Sequence, residues 1–205
     1  MINLPNILTL SRICVIGPIV FLFWIDGGWP RWLALGLYTA ACITDFFDGY
    51  LARTRGQISR FGRFLDPVAD KLLVASVILM LCACDRISGL AVLAAVVILC
   101  REILVSGLRE FLATLRSTLP VSNLAKWKTT IQMVSLGFLI VGIEAPNWIP
   151  AVTIGEIGLW ASAVLTLITG YDYLAIGLRH INDKPGDETN KSTTTNCLET
   201  SGNTQ

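Results

Sequence analysis

Apolar residues run in six blocks along the 205-residue chain, separated by short polar links. The blocks fall at about 5–25, 31–52, 66–84, 88–108, 126–143 and 151–177. A helix needs about 20 mainly apolar residues to cross the roughly 30 Å hydrocarbon core of a bilayer, so each block has spanning length. Turn-forming residues sit between blocks, in Asp26-Gly27-Gly28, Asp85-Arg86 and Ala145-Pro146-Asn147. The pattern predicts an all-α, polytopic membrane protein: six transmembrane helices in a bundle over residues 1–178. Residues 179–205 are polar, rich in Thr and Asn, and expected to form a disordered tail with too little apolar surface to fold. The first block lacks the basic start and small-residue cleavage site of a signal peptide, so it is expected to be retained.

Composition agrees: 53% of residues are hydrophobic, 15% are charged and the formal net charge is +1. A disordered chain, a coiled coil and a basic nucleic-acid module are thereby excluded, and no nucleic-acid partner is expected. Lys and Arg are distributed unevenly. With the N-terminus inside, Arg53, Arg55, Arg60, Arg63, Arg109, Arg116, Lys126, Lys128 and the tail's Arg179, Lys184 and Lys191 share one side, against Arg31 and Arg86 on the other. The positive-inside rule then puts both termini in the cytoplasm, with Trp29, Trp32 and Trp148 at the opposite interface. The six cysteines lie mostly inside apolar blocks and read as small hydrophobes. His180 is the chain's one histidine, which disfavours histidine-based catalysis.

The chemistry concentrates at 45–71, DFFDGYLARTRGQISRFGRFLDPVADK. Asp45 and Asp48 are three apart and Asp66 and Asp70 four apart, so each pair shares a helix face. A short basic link joins the two helices, which should therefore be antiparallel neighbours with four converging carboxylates. An Asp within a membrane helix costs about 2.5–3.5 kcal/mol on insertion scales. Protonation or divalent cations would relieve the cluster, and oxygen-only ligands suit hard ions such as Mg²⁺ or Mn²⁺. The alternative is helix capping and pairing with nearby arginines, with Asp66-Pro67 as an N-cap followed by a first-turn proline. Gly49, Ala52 and Gly62 keep the region small, and Arg53 is placed to contact a phosphate. Carboxylate-bound metals beside small residues and an arginine describe a diphosphate site, where in-line displacement at phosphorus takes place.

Asp45-x2-Asp48-Gly49-x2-Ala52-Arg53-x8-Gly62-x3-Asp66-x3-Asp70 resembles the signature of the CDP-alcohol phosphatidyltransferase family at every fixed position. The resemblance covers roughly residues 1–178. It is nearest to the bacterial branch that makes phosphatidylglycerol phosphate, through the runs beginning at Asn3, Phe64, Arg101 and Lys126. It implies that Asp45, Asp48, Asp66 and Asp70 hold two divalent ions, Mg²⁺ or Mn²⁺. It also implies that Asp70 accepts the proton of the attacking hydroxyl, and that Gly49, Arg53 and Ser59 contact the CDP part of the donor. The implied donor is CDP-diacylglycerol and the implied acceptor sn-glycerol 3-phosphate, with CMP released. A homodimer in the bacterial inner (cytoplasmic) membrane, its active site facing the cytoplasm, is implied as well.

The acceptor's phosphate needs cations of its own. Arg101, Arg109 and Lys126 are candidates, with positive-inside snorkelling as the other reading for these and for Lys128. Arg101-Glu102 and Arg109-Glu110 are alternatively an ion-pair network. Asn6, Thr9 and Arg12 recur at spacing three on one face of the first helix, where they either contact the donor nucleotide or bond to the second helix. Small residues of the last two blocks, including Gly137, Gly155 and Gly158, permit close packing within the bundle or across a dimer. Inositol phosphate, serine or phosphatidylglycerol are the alternative acceptors within the family. From a different class, an ion-coupled transporter would carry its acidic groups near the bilayer midplane in broken helices, which this pattern lacks.

Overall fold

The computed structural model describes residues 4–55, 60–114 and 123–182, with the side chains at 4–8, 46–55, 60–64, 66, 111–114, 123–126, 172 and 176–182 outside the description. Six α-helices follow one another: α1 (Leu4–Phe23), α2 (Gly28–Arg55), α3 (Arg60–Ala83), α4 (Ala91–Thr114), α5 (Asn123–Val141) and α6 (Ala151–Asn182). One 3₁₀ turn, Gly142–Glu144, follows α5, and no strand occurs among the described residues. The helices match the apolar blocks in number and order. Their ends differ where charge obscures the pattern. The helix α3 begins at Arg60, a turn and a half before its apolar block, so Pro67 lies inside it rather than at its first turn. Proline has no N–H, so the carbonyl of Arg63 loses its usual donor there. Helix α4 likewise continues through Arg109 to Thr114, and α6 runs on to Asn182.

Each helix packs chiefly on two others, in the order α1, α2, α5, α6, α4, α3 and back to α1, which closes a ring. Among the described residues, α2 and α3 are not the close neighbours expected from their short connection, because α1 packs against both and lies between them. A short link brings two helix ends near each other but leaves open which third helix enters between them.

The ring has two unlike ends. The half made by the end of α1, the start of α2 and the turns after α3 and α5 has an apolar interior of Ile19, Leu22, Ala34, Leu81, Ile98 and Ile140. Toward the other end the buried set becomes polar: Thr9, Arg12, Lys128, Gln132, Thr166 and Thr169. The outer surface is apolar, with Phe21, Leu79, Leu93, Ile103, Leu167 and Ile168 exposed. Two stretches, Ala91–Glu110 and Ala151–Ala175, are each long and apolar enough to cross a membrane, and Thr9–Phe23 is a shorter apolar helix.

The closest helix packing is between α5 and α6, and two glycines of α6 permit it. A Cβ on Gly155 would lie 2.6 Å from Leu139 Cγ and 3.2 Å from the Ser135 carbonyl, and one on Gly158 would overlap the Ser135 side chain. These small residues thus serve packing inside one chain. Gly155→Ala is expected to destabilise despite alanine's helix-propensity advantage of about 1 kcal/mol, because overpacking costs roughly 1–3 kcal/mol. Gly36→Ala, whose Cβ meets nothing within 4 Å, should be neutral or stabilising. Thermal unfolding midpoints in detergent separate the two, and equal midpoints would contradict this packing.

Candidate active site

At the polar end of the ring, α1 supplies Arg12, whose guanidinium is buried and whose Nη1 lies 2.6 Å from Oδ1 of Asp45 on α2. Asp70 on α3 is half-buried, and its charged neighbours are Asp45, Lys71, Glu102 and Arg12. Two carboxylates from α2 and α3 are therefore close enough for their charges to interact, with a buried arginine from α1 between their helices. Of the four carboxylates expected to converge, these two are the ones whose side chains are described. Asp48 and Asp66 lie one turn from Asp45 and Asp70 on α2 and α3, but their side chains, like those of Asn6, Gly49, Arg53 and Lys126, are outside the described set, as is Ser59 altogether. Among the described residues no three His, Cys, Asp or Glu side chains gather at one point. The donors that are described, carboxylate oxygens at the end of an apolar bundle, fit a hard divalent ion by type.

Asp70 also lines a cavity of about 60 Å³ between α3, α4 and α5, together with Lys71, Glu102, Thr129 and Gln132. Gln132 is buried, and its Oε1 has no hydrogen-bond partner. Glu102 links this cavity to a cationic cluster. Its Oε1 accepts a hydrogen bond from the buried Lys128 ammonium and lies 3.7 Å from Nη1 of Arg101. Of the alternatives for this segment, an ion-pair network therefore holds for Glu102, with Lys128 as its nearest partner.

Helix α6 completes the cluster. Arg101 Nη2 donates to Thr169 Oγ1 at 2.7 Å, and Thr169 in turn donates to the Leu165 carbonyl at 2.8 Å. Gly170 makes room for the arginine, since a Cβ there would lie 3.1 Å from Arg101 Cγ. The guanidiniums of Arg101 and Arg109 lie 5.8 and 5.9 Å from the centre of the Tyr173 ring, within cation–π range. Two like charges on one ring are held close, and the buried Tyr173 hydroxyl makes no hydrogen bond. Thr169 and Tyr173 escaped the sequence reading. Their signal was the spacing Thr166, Thr169, Tyr173, a polar face within an apolar helix. Thr9, a donor-site candidate, is fully buried on the face that also carries Arg12.

The fold and site define an all-helical bundle, apolar outside, whose interior is charge-lined at one end by carboxylates on one wall and cations on the other. The family model for CDP-alcohol phosphatidyltransferases matches residues 2–168. The chain is 50% identical over 171 residues to a CDP-diacylglycerol–glycerol-3-phosphate 3-phosphatidyltransferase of Rickettsia typhi, covering 83% of this chain and 94% of that protein. Proteins of the same name from Cereibacter sphaeroides and Shigella flexneri are 37% and 38% identical, each covering 89% of this chain and 98% of the relative. Among solved structures, the phosphatidylinositol phosphate synthase of Mycobacterium tuberculosis shares the fold. Its complex with manganese and citrate gives a TM-score of 0.61 at 19% identity, over 89% of this chain and 84% of that one. Its form with CDP-DAG bound gives the same score and identity, over 89% and 88%. The chain belongs to the CDP-alcohol phosphatidyltransferase family.

The Glu102–Lys128 pair tests the electrostatics of the cluster. Glu102→Gln leaves a buried ammonium without its counter-ion and should cost up to about 3 kcal/mol, while the double change Glu102→Gln with Lys128→Met should recover much of that loss. A double-mutant cycle on unfolding free energy in detergent reads the coupling, and a value near zero would contradict the pairing.

Proposed function

We propose that this chain transfers the phosphatidyl group of CDP-diacylglycerol to sn-glycerol 3-phosphate, leaving phosphatidylglycerol phosphate in the bilayer and releasing CMP. The observation that carries this reading is the continuity of charge at one end of the ring. Asp45 faces Asp70, and Asp70 adjoins Glu102, which pairs with Lys128 beside Arg101. A diphosphate donor and a phosphate-bearing acceptor call for these two kinds of wall side by side. The near full-length relationship to proteins named for this reaction supports the choice of acceptor.

In this reading the six helices all span the bacterial inner membrane as a multi-pass bundle, with both termini and the active site on the cytoplasmic side. The Lys and Arg asymmetry and the apolar exterior support that placement. Asp45, Asp48, Asp66 and Asp70 hold two divalent ions, Mg²⁺ or Mn²⁺. When bound, the ions neutralise the diphosphate and stabilise the attacking and leaving oxygens of an in-line displacement. Gly49, Arg53 and Ser59, with Asn6 and Thr9 from α1, receive the CDP portion. Arg101, Arg109 and Lys126 receive the acceptor phosphate. Thr169 and Tyr173 orient the two arginines, so the phosphate meets fixed donors rather than mobile side chains. Asp70 takes the proton as the acceptor hydroxyl bonds to the phosphorus bearing diacylglycerol, and the bond from that phosphorus to the CMP oxygen breaks. The chain works as a homodimer.

Purified protein with CDP-diacylglycerol and Mg²⁺ or Mn²⁺ should release CMP in proportion to added glycerol 3-phosphate. Faster release with inositol phosphate or serine would overturn the acceptor. Asp70→Asn should retain CDP-diacylglycerol binding and lose about 10²–10⁴-fold in kcat, the range for removing a general base. Unchanged turnover would remove that role. Arg101→Ala should raise KM for glycerol 3-phosphate with little change for the lipid donor; equal effects on both would make Arg101 structural.

A further inference from the structure

The end of the ring opposite the carboxylates holds a second group of cations, which the transfer reaction does not use. Arg31, near the start of α2, is 7% exposed. Its Nη2 donates to the Phe23 carbonyl at 3.2 Å, its guanidinium lies 4.9 Å from the centre of the Phe23 ring, and its Nη1 makes no hydrogen bond. Arg86, in the connection between α3 and α4, reaches the Val141 carbonyl, with Nη1 at 3.5 Å. Gly142 (φ +54) leaves room for it, since a Cβ there would overlap the guanidinium. Burial, then the charge of Arg31, lowers the pKa of Arg86, and Glu144 only partly offsets them. Among the described residues neither arginine has a carboxylate within ion-pair distance, although Glu144 lies close by, against Gly28. The connections at this end also carry Asp26 and Asp85, and none of the three acids is paired with either guanidinium, so one N–H face of Arg31 is unused. Around them Trp24, Trp29, Trp32 and Trp148 are exposed, at 76%, 65%, 48% and 81%. Exposed tryptophans of this kind mark the depth of lipid headgroups.

We propose that Arg31 and Arg86 form a binding site for the phosphodiester of an anionic phospholipid, in the leaflet facing away from the reaction site. The assignment to that leaflet rests on the membrane orientation given above, whereas the site itself does not depend on which reaction the enzyme performs. A phosphate oxyanion supplies the acceptor that Nη1 of Arg31 lacks, through a charge-assisted hydrogen bond. The apolar rings around it accept the glycerol and upper acyl region. An anionic headgroup is favoured over a choline headgroup because it brings no further cation beside two guanidiniums that lack ion-pair partners.

The test uses the full-length protein in a neutral detergent, with thermal unfolding followed as lipid or salt is added. Phosphatidylglycerol should raise the midpoint by about 5 °C near saturation, more than phosphatidylcholine at equal mole fraction. Inorganic phosphate at millimolar concentration should reproduce little of the shift. Arg86→Gln should abolish the phosphatidylglycerol-dependent shift, Arg86→Lys should retain part of it, and transfer activity in neutral detergent should be unchanged in both. Arg31→Gln should behave like Arg86→Gln if it folds; Arg86→Gln alone decides the matter otherwise. Equal shifts from phosphatidylcholine, a full shift from inorganic phosphate, or an undiminished shift in Arg86→Gln would each overturn the proposal.

Discussion

Charge enclosed within an apolar ring of helices is the constraint on which this structure depends. The exterior carries large apolar side chains, so each cation and carboxylate in the interior must find compensation there. At the end that holds the carboxylates the compensation is built from separate helices: Arg12 of α1 on Asp45 of α2, and Lys128 of α5 on Glu102 of α4. These contacts explain why α1 lies between the two helices of the acidic motif. A carboxylate on α2 and another on α3 repel each other, and a buried guanidinium from a third helix relieves one of them. An ordered array of charges results at one end of the ring.

The two cation groups behave differently because their partners differ. Arg101 is held by a hydroxyl, a glycine-made recess and an aromatic ring, all from α6, with Glu102 as its acidic neighbour. Arg31 and Arg86 are anchored mainly on backbone carbonyls at helix C-terminal ends, which satisfies some N–H groups but leaves the positive charge. Anchoring by carbonyls fixes geometry while keeping the site attractive to an anion.

Much of the fold was legible because a long apolar run marks a helix, and the order of α1 to α6 followed directly. The start of α3 was not, since Arg60, Gly62 and Arg63 break the apolar pattern while remaining compatible with a helix. Helix neighbours were not legible either. In lipid, apolar surface gives no preference between helices, so adjacency is decided by small-residue recesses such as Gly155 on Leu139 and by buried polar contacts. In the site, the acidic motif stood out through spacing, and Arg101 through its depth. Thr169 and Tyr173 did not, because a Thr or Tyr in an apolar helix is common and acquires meaning only from the arginine across from it.

Everything proposed for the site requires the carboxylates of α2 and α3 to act together on divalent ions. Electron paramagnetic resonance of Mn²⁺ titrated into the purified protein tests it most directly. Two tightly bound ions per chain are expected, with binding weakened by Asp45→Ala and by Asp70→Ala alike. Mn²⁺ that stays free in the unaltered protein, or binding that survives both substitutions, would contradict it.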